Sequence, residues 1–311
     1  MKPIIIGTRG SNLALWQTDF VIKELSNKFP DKVFEKRVIK TTGDKILDVA
    51  LAKIGSKGLF TKELEISLLN KEIDIAVHSM KDLPTEFEPE FKLGAILKRE
   101  VVNDVLISRK GLSFLELPAG STIGTSSLRR KAQLMSYRKD INFKDLRGNV
   151  DTRIRKLDEG EYDAIVLAAA GIERLGRKDR ITQIFDPFYL LPAVGQGAIG
   201  VEILKNNKEI EEILKYIDHL DTKIAISAER SFLRTLQGGC QVPIGCYGNI
   251  YDNKLFLEGL VSNLDGTKVI RSKVIGPPSQ AIKIGENLAY TLIKQGADKI
   301  LSEIRVSYGR N

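Results

Sequence analysis

The first half of the chain repeats one pattern: a short apolar run, a polar turn that contains a cation, and a stretch with helical spacing of apolar residues. Ile4-Ile5-Ile6, followed by Gly7-Thr8-Arg9-Gly10-Ser11, is the first case, and Ser11 is placed to cap the helix that comes next. Such alternation is typical of a largely parallel β-sheet with helices on its faces. The pattern therefore predicts an α/β fold for this part of the chain.

The length of 311 residues exceeds the size at which a single hydrophobic core stops growing, so we expect two or three domains. Two stretches, 99–103 and 191–200, are candidate crossings between domains. From Tyr247 onward the pattern changes to strands separated by turn signals and then helices, which is typical of a small α+β domain with an antiparallel meander. We predict three domains: 1–98 with 198–216, 103–192, and 220–311.

The composition, with 42% hydrophobic and 28% charged residues, is that of a soluble globular protein. No apolar run approaches the roughly 20 residues that a bilayer requires, and the first residues lack a signal-peptide pattern, so we expect a cytoplasmic protein without a membrane partner. With two histidines and two cysteines in the chain, we predict no metal site. The net charge of +8 fits nucleic acid, a membrane surface or an anionic small molecule, so the positions of the cations must decide.

Many of these cations fall at the ends of predicted strands, where open α/β sheets bind ligands and helix N-termini favour anions. A single such arginine would be a solvated surface residue, but several at equivalent positions indicate a ligand with several anionic groups. The chain has no Walker-type phosphate loop and few aromatic residues near these cations, so a polycarboxylate is favoured over nucleotides or single-stranded nucleic acid. The cations are Arg9, Lys81, Arg129, Arg130, Arg147, Arg153 and Arg174.

Asp82 is the acidic residue among these cations. It either forms a salt bridge or caps a turn, or it serves the chemistry as a carboxylate that stabilises a cationic intermediate. Thr125 and Ser127 are predicted to be helix caps rather than nucleophiles, because no histidine lies beside them to act as a base. His78 either lines the site or is packed at the end of a strand, and we predict that it is packed.

Cys240 follows two glycines at the end of a helical pattern, in Gly238-Gly239-Cys240. Both glycines can take the left-handed conformation that ends a helix, and they leave room for a bulky group beside the sulfur. The motif predicts a modified or reactive thiol, and the alternative is a buried cysteine that acts as a small hydrophobe. The stretch 50–61, with its lysines and small residues, is predicted to be a mobile loop.

Seven motifs in order span essentially the whole chain: Gly7-Thr8-Arg9-Gly10-Ser11, Lys57-Gly58-Leu59-Phe60, His78-Ser79-Met80-Lys81-Asp82-Leu83-Pro84, Gly124-Thr125-Ser126-Ser127-Leu128-Arg129-Arg130, Leu146-Arg147-Gly148-Asn149-Val150-Asp151-Thr152-Arg153, Pro192-Ala193-Val194-Gly195-Gln196-Gly197 and Gly238-Gly239-Cys240. Together they resemble the porphobilinogen deaminase family. The resemblance implies two α/β domains similar to periplasmic binding-protein and transferrin lobes, plus a small α+β domain. It also implies a monomeric, cytoplasmic transferase of tetrapyrrole and haem (porphyrin) biosynthesis.

The same resemblance implies a role for each site residue. A dipyrromethane cofactor would be attached to Cys240 through a thioether, with Lys81, Asp82, Ser127, Arg129 and Arg130 holding it, and Asp82 would be the catalytic carboxylate. Arg9, Ser11, Arg147, Arg153 and Arg174 would bind the carboxylates of the substrate, and Lys57 and Phe60 would belong to a lid. The chain departs from the family at Ile5, where relatives often carry an arginine.

The implied reaction is hydroxymethylbilane synthesis. Porphobilinogen loses ammonia, the electrophile that forms joins the primer, and four repeats followed by hydrolysis give a linear tetrapyrrole; Asp82 would stabilise the positive charge on the pyrrole nitrogen. A non-catalytic two-lobed anion-binding protein is the main alternative, but it gives no reason for the third domain with its glycine-flanked cysteine. A nucleic-acid binder, which would need a surface stripe of cations, is a weaker one.

Overall fold

The computed structural model describes residues 2–41, 61–239 and 242–307. Within these ranges the chain forms two compact units. The first comprises 2–41, 61–100 and 197–223, and the second comprises 101–196, 224–239 and 242–307. The chain changes unit three times within the described residues. The changes after Glu100 and after Gln196 fall at or within the two predicted crossings, and the third follows Lys223. The division into three domains stays a prediction.

The described strands and helices alternate along most of the chain. The strands are β1 (Ile4–Thr8), β2 (Phe34–Val38), β3 (Ile75–Ser79), β4 (Phe91–Ile96), β5 (Asp104–Ser108), β6 (Thr122–Gly124), β7 (Asn142–Lys144), β8 (Ala164–Ala168), β9 (Gln183–Ile184), β10 (Ile199–Leu204), β11 (Ile244–Tyr251), β12 (Lys254–Ser262) and β13 (Val269–Gly276). The helices are α1 (Asn12–Lys28), α2 (Lys62–Leu69), α3 (Leu128–Tyr137), α4 (Val150–Asp158), α5 (Ala169–Arg174), α6 (Lys208–Leu214), α7 (Leu220–Thr235), α8 (Ala281–Lys294) and α9 (Ala297–Ser307).

The first unit contains a five-stranded sheet in the order β2-β1-β3-β10-β4. β1 is parallel to both β2 and β3, whereas β10 is antiparallel to both β3 and β4. Its buried residues, such as Ile6, Ile75 and Val201, pack with Val21 and Leu25 of α1. The sheet is therefore largely parallel, as the alternating pattern predicts, with one reversed strand that the pattern did not reveal.

The second unit contains a five-stranded sheet of the same kind, in the order β7-β6-β8-β5-β9. β6 is parallel to β7 and β8, and β5 is antiparallel to β8 and β9. Along β5, Val105 and Ile107 enter one buried cluster, while Leu106 enters another. Because side chains alternate between the two faces of a strand, this division means that both faces of the sheet are covered.

The second unit also contains the predicted antiparallel meander, β11-β12-β13. Asp252 and Asn253 connect β11 to β12 with φ angles of 48° and 52°. Two successive residues with positive φ give the two-residue hairpin whose twist matches that of the strands. α8 and α9 contribute Ile284, Leu288 and Ile304 to the core beside this sheet, so the predicted α+β part is confirmed.

The described residues therefore form a mixed α/β protein with a smaller α+β part, which confirms the predicted fold class. Within the ranges given above, none of the helices combines the length and the apolar character that crossing a bilayer requires.

Gly285 allows α8 to approach α7 closely. A Cβ atom at this position would overlap the backbone oxygen of Ala228 and lie 2.9 Å from the backbone nitrogen of Phe232. Backbone atoms cannot move aside as a flexible side chain can. We therefore expect Gly285→Ala to lower the free energy of unfolding by about 1–3 kcal/mol because of overpacking, although alanine favours a helix by about 1 kcal/mol over glycine.

Urea unfolding of the purified variants measures this effect. Asn287→Ala, on the exposed side of the same helix, is the matched control and should leave stability unchanged or slightly higher. A Gly285→Ala protein as stable as the Asn287→Ala protein would contradict the close helix contact.

Candidate active site

The carboxyl end of β1 carries Arg9 directly after its last residue, Thr8. The Thr8 hydroxyl donates to the Ala14 carbonyl at 3.1 Å, and the Ser11 hydroxyl accepts from the Ala14 amide at 3.3 Å. Ser11 is thus the N-cap of α1, as predicted. These bonds fix the short turn that presents the half-buried Arg9 at the edge of the first sheet.

Ile5, the position at which the family resemblance implies an arginine, lies within β1 rather than at its end. Its side chain packs against the buried cluster that contains Leu64, Leu68 and Ile73. Its amide donates to the Asp74 carboxylate at 2.8 Å. In this chain the position therefore contributes to packing, and any cationic contact in this part of the site comes from other residues.

The carboxyl end of β3 carries Lys81 and Asp82 in a single 3₁₀ turn, Met80–Asp82. Met80 is buried and its amide donates to the Ala198 carbonyl at 3.0 Å, so the base of the turn is anchored. Lys81 is half-buried and Asp82 is exposed. Because β1 and β3 are parallel neighbours, the structure brings Arg9, Lys81 and Asp82 to the same edge of the first sheet.

In the second unit, the loop after β6 leads into α3. The Ser127 hydroxyl accepts from the Arg130 amide at 3.4 Å, which makes Ser127 the N-cap of this helix. This role agrees with the prediction that Ser127 is a cap rather than a nucleophile. Arg129 and Arg130 follow in the first turn and are only 5% and 6% exposed, so both guanidinium groups lie in the interior of the unit.

A single carboxylate, that of Asp104, receives both guanidinium groups. Its Oδ2 accepts from Nη1 of Arg129 at 2.7 Å, and its Oδ1 accepts from Nε and Nη2 of Arg130 at 3.0 and 2.7 Å. Gln196 donates its Nε2 to the same Oδ1 at 3.0 Å. We call Asp104, Arg129, Arg130 and Gln196 the Asp104 cluster.

The electrostatics of the Asp104 cluster favour the ionised carboxylate. Burial by itself raises the pKa of the Asp104 carboxyl, but the charges and hydrogen bonds of Arg129 and Arg130 outweigh burial and hold the pKa well below its usual range. Two guanidinium charges against one carboxylate leave this buried group with a net charge of +1. A buried excess positive charge favours an anionic ligand nearby.

The loop after β7 presents Arg147 between several fixed points. The Ser126 hydroxyl both accepts from the Leu146 amide and donates to the Leu146 carbonyl, at 3.0 Å in each case. The Tyr162 hydroxyl donates to the Asp145 carbonyl at 2.6 Å. Arg153 in α4 donates its Nε to the Gly148 carbonyl at 2.7 Å. The loop that carries Arg147 is therefore held on both sides.

Arg174 is the last residue of α5, the short helix that follows β8, and it is half-buried. The strands β6, β7 and β8 are mutually parallel, so their carboxyl ends share one edge of the second sheet. At the ends of these strands, or in the helices that follow them, the structure places Ser127, Arg129, Arg130, Arg147, Arg153 and Arg174.

The predicted cofactor attachment residue, Cys240, lies outside the described residues, as do Lys57 and Phe60 of the predicted lid. The structure does describe the end of α7 before Cys240. There Gln237, with φ of 49°, takes the left-handed conformation that we expected of the glycines, and neither Gly238 nor Gly239 takes it. A Cβ atom at Gly238 would lie 2.5 Å from Leu233 Cδ1 and 2.6 Å from Ile244 Cδ1, so a larger residue there would displace the ends of these two side chains.

Sequence reasoning missed two residues that organise these edges. The sequence analysis does not single out Asp104, although an acid at the start of an apolar run, directly after a crossing, is a signal of a buried charge pair. Gln17, on the buried side of α1, exchanges hydrogen bonds of 2.9 and 3.2 Å with Ser79 at the end of β3. His78 is packed as predicted, with its Nε2 3.0 Å from the Glu202 carboxylate.

The lowered pKa of Asp104 predicts how stability depends on pH. A carboxyl whose folded-state pKa is depressed stabilises the fold above its unfolded pKa of about 4, and this contribution is lost as the pH falls below that value. We expect the stability difference between wild type and Asp104→Asn to be largest near pH 6 and to shrink toward pH 2. Urea unfolding across this range measures the difference.

The exposed Asp179→Asn is the control for that experiment, and its difference from wild type should stay small throughout. An Asp104→Asn difference that did not change with pH would mean that the ion pairs of this carboxylate do not form in solution.

Known structures of low sequence identity are similar to parts of this chain. The Bordetella pertussis BvgS VFT2 domain is 14% identical and covers 69% of this chain and 85% of its own, with a TM-score of 0.42. The probable amino-acid ABC transporter extracellular-binding protein ytmK from Bacillus subtilis is 15% identical and covers 70% of this chain and 90% of its own, with a TM-score of 0.41.

Sequence comparisons are far more specific. The porphobilinogen deaminase of Carboxydothermus hydrogenoformans is 55% identical, and that of Desulforudis audaxviator 52% identical, each over 98% of both chains. The family model described as "Porphobilinogen deaminase, dipyromethane cofactor binding domain" matches residues 4–212. The model "Porphobilinogen deaminase, C-terminal domain" matches residues 223–294. The chain therefore belongs to the porphobilinogen deaminase family.

Proposed function

We propose that this chain works as a hydroxymethylbilane synthase, a transferase of tetrapyrrole and haem biosynthesis. It joins four porphobilinogen units, each with loss of ammonia, onto a covalent dipyrromethane primer, and water then releases the linear tetrapyrrole. The observation that carries this proposal is the cations at the carboxyl edge of each α/β sheet in a chain of this family. The product gains carboxylates with every added unit, and the cations can bind these carboxylates through charge-assisted hydrogen bonds.

The donor set in the second unit fits a cofactor that carries carboxylates. The Asp104 cluster has a net charge of +1, and within the described residues Nε and Nη2 of Arg129 are not used in hydrogen bonds. These two atoms form one edge of the guanidinium, the geometry that binds a carboxylate bidentately. Arg129 and Arg130, with Ser127 and Lys81, would hold the cofactor carboxylates, and Cys240 would carry the thioether.

When bound, the dipyrromethane supplies the nucleophilic carbon to which substrate is joined. Asp82 is proposed as the catalytic residue, because it is the exposed carboxylate at the tip of an anchored turn. Its oxygens can accept hydrogen bonds from pyrrole N–H groups and stabilise the positive charge that develops as ammonia leaves. The buried Met80 beneath it keeps the turn in place, so the carboxylate needs little reorganisation during the reaction.

The remaining cations are proposed to bind the acetate and propionate groups of the substrate and of the growing chain. Arg9 and Ser11 would do so in the first unit, and Arg147, Arg153 and Arg174 in the second. The hydrogen bonds that Ser126 and Tyr162 make to the Arg147 loop support this role, because a guanidinium on a fixed loop loses less conformational entropy when it binds a ligand.

Several finer points are proposals from the sequence alone. Lys57 and Phe60 would form a lid over the bound substrate. A monomeric state, a cytoplasmic location, and the absence of nucleic-acid and membrane partners also stay predictions.

The proposed role of Asp82 predicts a loss of turnover without a loss of folding. Because Asp82 is exposed, Asp82→Asn should unfold at the same urea concentration as wild type. Removal of its charge should lower kcat for hydroxymethylbilane formation by about 10²–10³-fold, the cost typical of losing one group that stabilises transition-state charge. The assay follows porphobilinogen consumption and ammonia release by the purified proteins.

Glu90→Gln, which alters another exposed carboxylate of the first unit, is the matched control and should keep wild-type kcat. Normal turnover by Asp82→Asn would remove Asp82 from the mechanism. A wild-type protein that binds porphobilinogen reversibly and releases no ammonia would refute the proposed function as a whole.

A further inference from the structure

Through its carboxylate, Asp104 accepts more hydrogen bonds than an ion pair with a single cation would require. Its side chain is fully buried, and its two oxygens accept four hydrogen bonds from Arg129, Arg130 and Gln196. The two oxygens are divided: Oδ2 serves Arg129, and Oδ1 serves Arg130 and Gln196. The carboxylate thereby sets the relative orientation of two like-charged groups that would otherwise repel each other.

Other contacts complete the orientation of each arginine. Arg129 Nη1 also donates to the Leu191 carbonyl at 2.8 Å, and Arg130 Nη1 donates to the Val166 carbonyl at 2.9 Å. These bonds use one side of the Arg129 guanidinium and leave its Nε–Nη2 edge for a ligand. Because all of the partners are buried, neither arginine can turn without breaking hydrogen bonds that water would not replace.

The carboxylate of Asp104 is itself held in place. Gln196 donates its Nε2 both to Asp104 Oδ1 and to the Val102 carbonyl, at 3.0 and 2.6 Å. Val102 and Asp104 lie near the start of the stretch 101–196 of the second unit, and Gln196 is its last residue. The Gln196 side chain therefore links the two ends of this stretch at the Asp104 carboxylate. The orientation of the arginines therefore depends on one well-fixed acid.

We propose that Asp104 is a positioning residue: its carboxylate, which also holds Arg130, fixes Arg129 in the orientation in which its Nε–Nη2 edge receives a carboxylate of the dipyrromethane. This inference rests on the proposed function, and it adds a residue that never touches the ligand. A purely structural Asp104 would contribute to stability and nothing else. A positioning Asp104 controls how fast the protein acquires its cofactor, because a small displacement of a binding group can cost a large factor in rate.

The test measures cofactor acquisition rather than the activity of the loaded enzyme. Cofactor-free Asp104→Asn and wild type are incubated with porphobilinogen, and intact mass is followed until the dipyrromethane increment appears. We expect the increment to form at least about tenfold more slowly in Asp104→Asn. Glu229→Gln is the matched control, since Glu229 is equally buried in the same unit but accepts from the backbone amides of Gly195 and Gly248, at 2.7 and 2.8 Å.

A double-mutant cycle with Arg129→Gln separates positioning from stability. If Asp104 acts through Arg129, Asp104→Asn adds little to the loss already caused by Arg129→Gln, whereas independent effects multiply. Two results would overturn the proposal. One is that the effects of Asp104→Asn and Arg129→Gln on the rate of cofactor acquisition multiply. The other is that Glu229→Gln slows acquisition as much as Asp104→Asn does at an equal loss of stability. The rate of the wild type in the same experiment reports separately on the proposed function.

Asp104→Asn leaves two buried guanidinium groups without a carboxylate, a change that can prevent folding. Asp104→Glu keeps the charge and displaces the carboxylate by one methylene, so it serves as the second variant. We expect it to fold and still to acquire the cofactor severalfold more slowly than wild type. Acquisition at the wild-type rate would show that charge alone is needed and would overturn the positioning role.

Discussion

Each α/β sheet of this protein contains one strand that runs against its neighbours, and the placement of the site residues depends on it. β5 and β10 are the strands that follow the two crossing segments. Because each runs opposite to its neighbours, its first residue lies at the carboxyl edge of the sheet. That edge carries the cations, so Asp104 reaches Arg129 and Arg130, and Ala198, just before β10, holds the turn that carries Asp82.

The sequence was sufficient to predict the features that depend on local pattern. Rules that act over a few residues predict the strand ends with their cations, the caps at Ser11 and Ser127, and the antiparallel meander. The reversed strands and the role of Asp104 could not be found in this way. Asp104 binds Arg129, Arg130 and Gln196, which lie 25, 26 and 92 residues away in the sequence. A pattern that spans a few residues cannot predict contacts at such distances along the chain.

The two acids that matter most to this account lie in opposite environments. Asp104 is buried and its carboxylate pairs with two guanidinium groups, so it orients these arginines without contacting a ligand. Asp82 is exposed at the tip of a turn whose base is buried. The glycines before Cys240 differ from expectation in another way: Gln237 takes the left-handed conformation that was expected of them, and Gly238 lies close to the side chains of Leu233 and Ile244.

The covalent cofactor is the central claim, and intact mass spectrometry of the purified protein tests it most directly. Wild type, expressed where porphobilinogen is available, should exceed its sequence mass by one dipyrromethane, and Cys240→Ser should lack this excess. Circular dichroism of both proteins verifies that they are folded. A folded wild type with the unmodified sequence mass, or an excess that survives in Cys240→Ser, would contradict the assignment of the cofactor to this cysteine.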